Sequence, residues 1–167
     1  MTIANDILLD AFDRVHGSVH RVVDGLAPNQ LAERVDDSNS IAWLVWHLSR
    51  VQDDHIAAAA GSNQVWTEDG WEARFGLPFD ADATGYGQTT EEVSAVRVSA
   101  GELLTGYFDA VHARTLEYVR DLSEAALAEV IDDAWDPPVT LASRLVSVTN
   151  DCTQHVGQAA FLRGLLA

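Results

Sequence analysis

The sequence predicts an all-α protein, a four-helix bundle with a long loop between helices two and three, on three observations. Four stretches carry apolar residues at steps of three and four, no stretch alternates apolar and polar residues as a strand does, and caps or breakers fall near the ends of the stretches. At 167 residues, 47% of them hydrophobic and 22% charged, the chain has the size and composition of one domain, expected to span 1–167 and to close a core without staples.

Helix one is expected over residues 3 to 26, with Ile3, Ile7, Leu8, Phe12, Val15, Val19, Val22 and Val23 on its stripe. It ends before Pro28, and the next few residues read as a turn with a little helix. Ser38, Asn39 and Ser40 offer N-caps for helix two, which runs to about Ala60 with Ile41, Leu44, Leu48, Val51 and the alanines at 57 to 60 inward, and stops at Gly61. Residues 61 to 98 are broken by glycines yet weighted by Trp66, Trp71, Phe75, Phe79 and Tyr86, which predicts a long packed loop with short helical turns, a lid or pocket wall. Ser99 and Glu102 have the spacing of a capping box opening helix three, whose face is Leu104, Phe108, Val111, Thr115, Tyr118 and Leu122. A short helical turn follows Ser123, and Asp136 to Val139 form an extended lead-in. Thr140 then caps helix four, with Leu141, Leu145, Val148, Cys152, His155, Ala159, Leu162 and Leu166 on its stripe.

Charge narrows the function. Twenty-six acidic residues against ten basic ones give a net charge of −16, and the arginines are scattered singly, so neither nucleic acid nor an anionic membrane is an expected partner. Every basic residue is Arg, which removes lysine Schiff-base and P-loop chemistry. The N-terminal residues lack the pattern of a signal peptide, and no apolar run is long enough to span a bilayer, so a soluble, cytoplasmic protein is expected. One cysteine, Cys152, excludes an internal disulfide and a Cys-rich zinc knuckle, leaving His and carboxylates as metal ligands.

Asp151 and His155 are four residues apart on helix four. At about 100° per residue their side chains fall within roughly 40° of each other, so both can reach one ion. His47 borders the buried face of helix two and is the third candidate. Two imidazoles and one carboxylate leave coordination positions open, the ligand count of a catalytic site. The same residues also read as an Asp–His hydrogen-bonded pair without metal beside a core histidine. Asp54, two turns after His47, is a candidate outer partner or fourth ligand, with Gln158 and Trp46 as further neighbours. Asp53 reads as solvated, His55 as core-facing, His16, His20 and His112 as surface histidines, Arg163 as half of a salt bridge, and Cys152 as a small buried apolar residue.

The segment Asp151-Cys152-Thr153-Gln154-His155-Val156-Gly157-Gln158, continued to Leu162-Arg163, and the upstream Trp43, Trp46-His47-Leu48 resemble the DinB-like superfamily, in its branch with mycothiol-dependent maleylpyruvate isomerases. The resemblance covers nearly the whole chain in helix order. It implies a four-helix bundle holding a divalent metal through one His of helix two and two ligands four apart on the last helix, places matched here by His47, Asp151 and His155. The isomerase branch carries Glu where this chain has Asp151. It further implies mycothiol or a similar thiol as cosubstrate; zinc is the simplest ion for the three residues, with nickel or iron as alternatives.

The expectation is therefore a metal-dependent enzyme that activates a low-molecular-weight thiol for transfer to a small electrophile or for its isomerisation. The other readings are a non-catalytic metal or small-molecule binding module and a metal-dependent hydrolase. No side chain is assigned as the catalytic group, and a homodimer is an open expectation.

Overall fold

The computed structural model describes residues 2–166, so residues 1 and 167 of the expected 1–167 domain lie outside the described residues. Four long helices carry the architecture: α1 (Ile3–Val23), α3 (Ile41–Ala60), α7 (Gly101–Arg120) and α9 (Leu141–Leu166). Between them lie the short helices α2 (Pro28–Leu31), α4 (Val65–Glu68), α5 (Trp71–Phe75), α6 (Thr90–Ala95) and α8 (Glu124–Ala128). Helix α1 packs on α7 and α9, and α3 packs on the same two, so α1 faces α3 across one diagonal and α7 faces α9 across the other. The protein is thus an all-α four-helix bundle. No helix among the described residues is long and apolar enough to cross a membrane.

Each long helix buries a stripe set by its sequence. On α1 the stripe is Asn5, Leu8, Phe12, Val15, Val19 and Val22, steps of three and four, while Ile3 and Ile7 sit about one residue off it and are exposed. Asn5 is fully buried because its amide donates to Val119 O (2.6 Å) and Leu122 O (3.0 Å), closing the C-terminal end of α7. Helix α3 is capped by Ser40, whose hydroxyl accepts from Trp43 N, and every residue from Ile41 to Arg50 is buried. The alanine run is only partly inward, since Ala57 is buried while Ala58 and Ala60 face solvent. Ser123 caps α8 and Thr140 caps α9, each accepting from the backbone three residues on.

Helix one, expected to reach residue 26, ends at Val23, and two further local expectations differ from the fold. Helix α7 opens at Gly101 with Ala100 at its cap and no side-chain capping bond, so the Ser99–Glu102 box does not form. A Cβ on Gly101 would lie 2.7 Å from Val23 Cγ1, and this close approach to α1 sets where α7 begins. A small antiparallel ribbon also appears, β1 (Val130–Asp132) with β2 (Val139–Thr140), where only an extended lead-in was expected. Strands of two or three residues show no alternation in a sequence.

Candidate metal centre

The α3/α9 pair carries His47 on one helix and Asp151 and His155 on the other. One ligand atom from each lies within 4.8 Å of the other two. The His47 and His155 rings meet edge to face with centroids 4.6 Å apart. His47 Nδ1–H donates to Thr84 O at 2.5 Å, and His155 Nδ1–H donates to the main-chain oxygen of Asp151 at 2.9 Å. Both Nδ1 atoms being committed to backbone carbonyls, each ring keeps the Nε2 lone pair as its free donor, the arrangement that orients imidazoles for a metal.

Asp151 Oδ2 lies 3.3 Å from His155 Nδ1, but that N–H is aimed at the main-chain oxygen, so the carboxylate acts on the ring mainly by charge. Oδ2 itself is buried without a hydrogen-bond donor. A carboxylate oxygen in that position is costly unless a cation completes it. Burial pushes the His47 imidazole down from its ordinary value, against the opposing hydrogen bond to Thr84. For His155 the Asp151 carboxylate is the largest influence and raises the imidazole. Burial pushes the Asp151 carboxyl up, but His155, then His47 and His55, outweigh it and hold the group below the usual range. A carboxylate and two imidazoles in one cluster fit a divalent ion of the borderline class.

The wall of this site is the long connection between α3 and α7, held by one face of α3. Trp43 Nε1 donates to Gln88 Oε1 (2.7 Å), His47 to Thr84 O, and Arg50 to Ala83 O (3.1 Å) and Ala81 O (3.3 Å). Positions 43, 47 and 50 are successive turns of one helical face. Gly85 closes over the imidazole: its φ is +94°, and a Cβ there would lie 2.8 Å from His47 Nδ1 and 3.0 Å from Trp46. Trp43 stacks on His47 with centroids 4.5 Å apart and planes 14° apart.

Behind this wall lies a buried polar network that sequence reasoning missed. Asp53, expected to be solvated, is 3% exposed and accepts from Val65 N (2.9 Å), Trp66 N (2.8 Å) and the Tyr107 hydroxyl (2.8 Å). Arg50, fully buried, lies 3.6 Å from Asp53 and also donates to Gln64 Oε1 (2.7 Å). An Arg and an Asp three apart, one turn after the apolar first half of the helix, was the available signal.

The remaining expected neighbours are placed elsewhere. Asp54 accepts from Gln64 Nε2 at 2.8 Å and stands outside the three-residue cluster. Gln158 is exposed, beside an apolar groove with Val35 and Phe161. Trp46 is buried against Phe79 and Trp66, so the indole lining the imidazoles is that of Trp43. His55 is half-buried next to Arg144 (3.4 Å). Arg163 donates to Val22 O of α1 rather than to an acid. Cys152 is fully buried, and burial pushes its thiol well above the usual range, which removes it as a nucleophile or ligand. Of the three expected surface histidines, His112 is buried, and His16 and His20 converge on Asp109.

The family model described as mycothiol-S-transferase matches residues 7–167 of this chain. A crystal structure of a conserved protein from Enterococcus faecalis superposes with a TM-score of 0.91 at 30% identity, covering 99% of this chain and 98% of the other. No curated protein matches the sequence.

Proposed function

Since the chain belongs to the mycothiol-S-transferase family, we propose that it transfers a low-molecular-weight thiol of the mycothiol type to a small electrophile, at a divalent-metal site held by His47, Asp151 and His155. The observation that carries the metal reading is Asp151 Oδ2, buried without a donor beside two imidazoles whose Nδ1 atoms are already engaged. Zinc is the simplest ion for this ligand set. A divalent cation so held would lower the pKa of an adjacent thiol until the thiolate predominates at neutral pH.

The chain's own side chains set the rest. Exposure rises from 5% at His47 to 18% at the His155 side chain and 34% at that of Asp151, so the cosubstrates enter from the α9 side. Trp43 and the segment around Gly85 cover the opposite side, keep water from His47 and fix the ring's orientation. In a thiol transfer the nucleophile is the cosubstrate thiol, and the buried Cys152 does not compete with it. With an aryl halide as electrophile, the sulfur–carbon bond forms as the carbon–halogen bond breaks. The thiol proton and the halide are released.

The test uses tag-free protein stripped with a chelator and titrated with zinc, wild type beside His155→Ala. The variant is expected to bind one equivalent less than wild type and to lose thiol consumption in the presence of an aryl halide, with its helical circular dichroism intact. Equal stoichiometry, or equal thiol consumption, in the two proteins would overturn the reading.

A further inference from the structure

A second cluster of ligand atoms lies on the α1/α7 edge, on the other side of the bundle from α3/α9. His16 and His20 are four residues apart on α1, and Asp109 comes from α7. Both Nε2 atoms lie 2.7 Å from the same oxygen, Asp109 Oδ1, and the two rings have centroids 4.7 Å apart. The three ligand atoms are mutually within 4.8 Å. The arrangement repeats that of the first site with the roles of the helices exchanged: two ligands one turn apart on one helix and a third from its neighbour.

We propose that His16, His20 and Asp109 form a second divalent-cation site, which joins α1 to α7. Two imidazole nitrogens and one carboxylate oxygen select zinc, cobalt, nickel or copper over magnesium and calcium, which require oxygen donors. The donors are 33% (His16), 43% (His20) and 47% (Asp109) exposed, so a cation reaches them without opening the core. The His16 ring is held by the buried His112, whose ring lies parallel to it at 4.3 Å. His112 Nε2 is itself engaged with Asp13 Oδ1 at 2.9 Å, and the ring stands outside the cluster of His16, His20 and Asp109, so it serves as a support for His16. A chain of net charge −16 also favours cations over anions at a solvent-facing cluster.

This inference stands apart from the thiol-transfer reading, and the test separates the two. Tag-free His155→Ala protein, stripped of metal, is titrated with cobalt or zinc and compared with His155→Ala/His20→Ala and His155→Ala/Asp109→Asn. One equivalent is expected in the first and none in the second. The third should bind at least roughly tenfold more weakly, since even loss of an outer-sphere partner costs about that much. In an otherwise wild-type background, His20→Ala should leave thiol transfer unchanged and remove one equivalent of metal. No binding by His155→Ala, equal binding by the His20→Ala pair, or full affinity in the Asp109→Asn pair would each overturn the proposal, the last by reducing it to a bare surface histidine pair.

Discussion

Gly85 answers two constraints at one position, a left-handed backbone and a Cβ site only 2.8 Å from the His47 ring. Replacing it with Ala should cost about 2 kcal/mol in backbone strain and displacement. Zinc affinity should fall with it as the ring loses its bond to Thr84; urea denaturation and a zinc titration would measure the two effects. The Asp151–His155 pair sets a second expectation. Asp151 raises the His155 imidazole, and a cation must displace the proton held there, so zinc affinity should weaken as pH falls through that raised value. Asp151→Asn removes the cause and should move the onset of this decline to lower pH, besides weakening binding at every pH; competition with a chromophoric chelator between pH 8 and 5.5 would follow it. The convergence of His47, Asp151 and His155 was legible in the sequence because helical spacing alone aligns Asp151 with His155 and puts His47 at a buried border. Asp53 was misread for a physical reason. It lies on the face of α3 that the connection covers, and a single helix's periodicity does not record what a distant loop later buries.

At the level of elements, α3 is both a full member of the bundle and the post to which residues 61–98 are tied. One face holds the segment from Ala81 to Gln88, and Asp53 caps the start of α4 through Val65 N and Trp66 N. Asp53→Ala would leave Arg50 buried without its carboxylate and free two backbone N–H groups, a loss of about 3–5 kcal/mol in a denaturation experiment. Asn5→Ala strips bonds from a carbonyl in the last turn of α7 and from one just beyond it, and should cost about 1–2 kcal/mol. Helix ends with a polar cap, at Ser40, Ser123 and Thr140, were readable because the capping hydroxyl is itself in the sequence. The start of α7 was not, because it is set by contact between Gly101 and Val23, and the ribbon of β1 and β2 is too short to impose a pattern.

For the whole molecule, four apolar stripes dictate a bundle, but they do not say which helices become neighbours. The order in which α1 and α3 each pack on both α7 and α9 therefore emerges only in three dimensions, and with it the pairing of His16 and His20 with Asp109. Metal linkage should be visible at this scale. Zinc at about a hundredfold excess over its dissociation constant stabilises the folded state by about 2.7 kcal/mol per site. For a protein of this length that amounts to a rise in Tm of roughly 5–10 °C, to be read by differential scanning fluorimetry and reduced in His155→Ala.

Tyr86 stands at the crest of the covering segment and is 93% exposed, two residues from the carbonyl that holds His47. A Lewis acid at the far ring nitrogen makes the Nδ1–H a stronger donor, and by reciprocity a segment clamped more firmly tightens the ring's hold on that acid. Chymotrypsin cleavage after Tyr86 should therefore slow when the site fills. The protein would then carry a label-free proteolytic gauge of the occupancy of its own site.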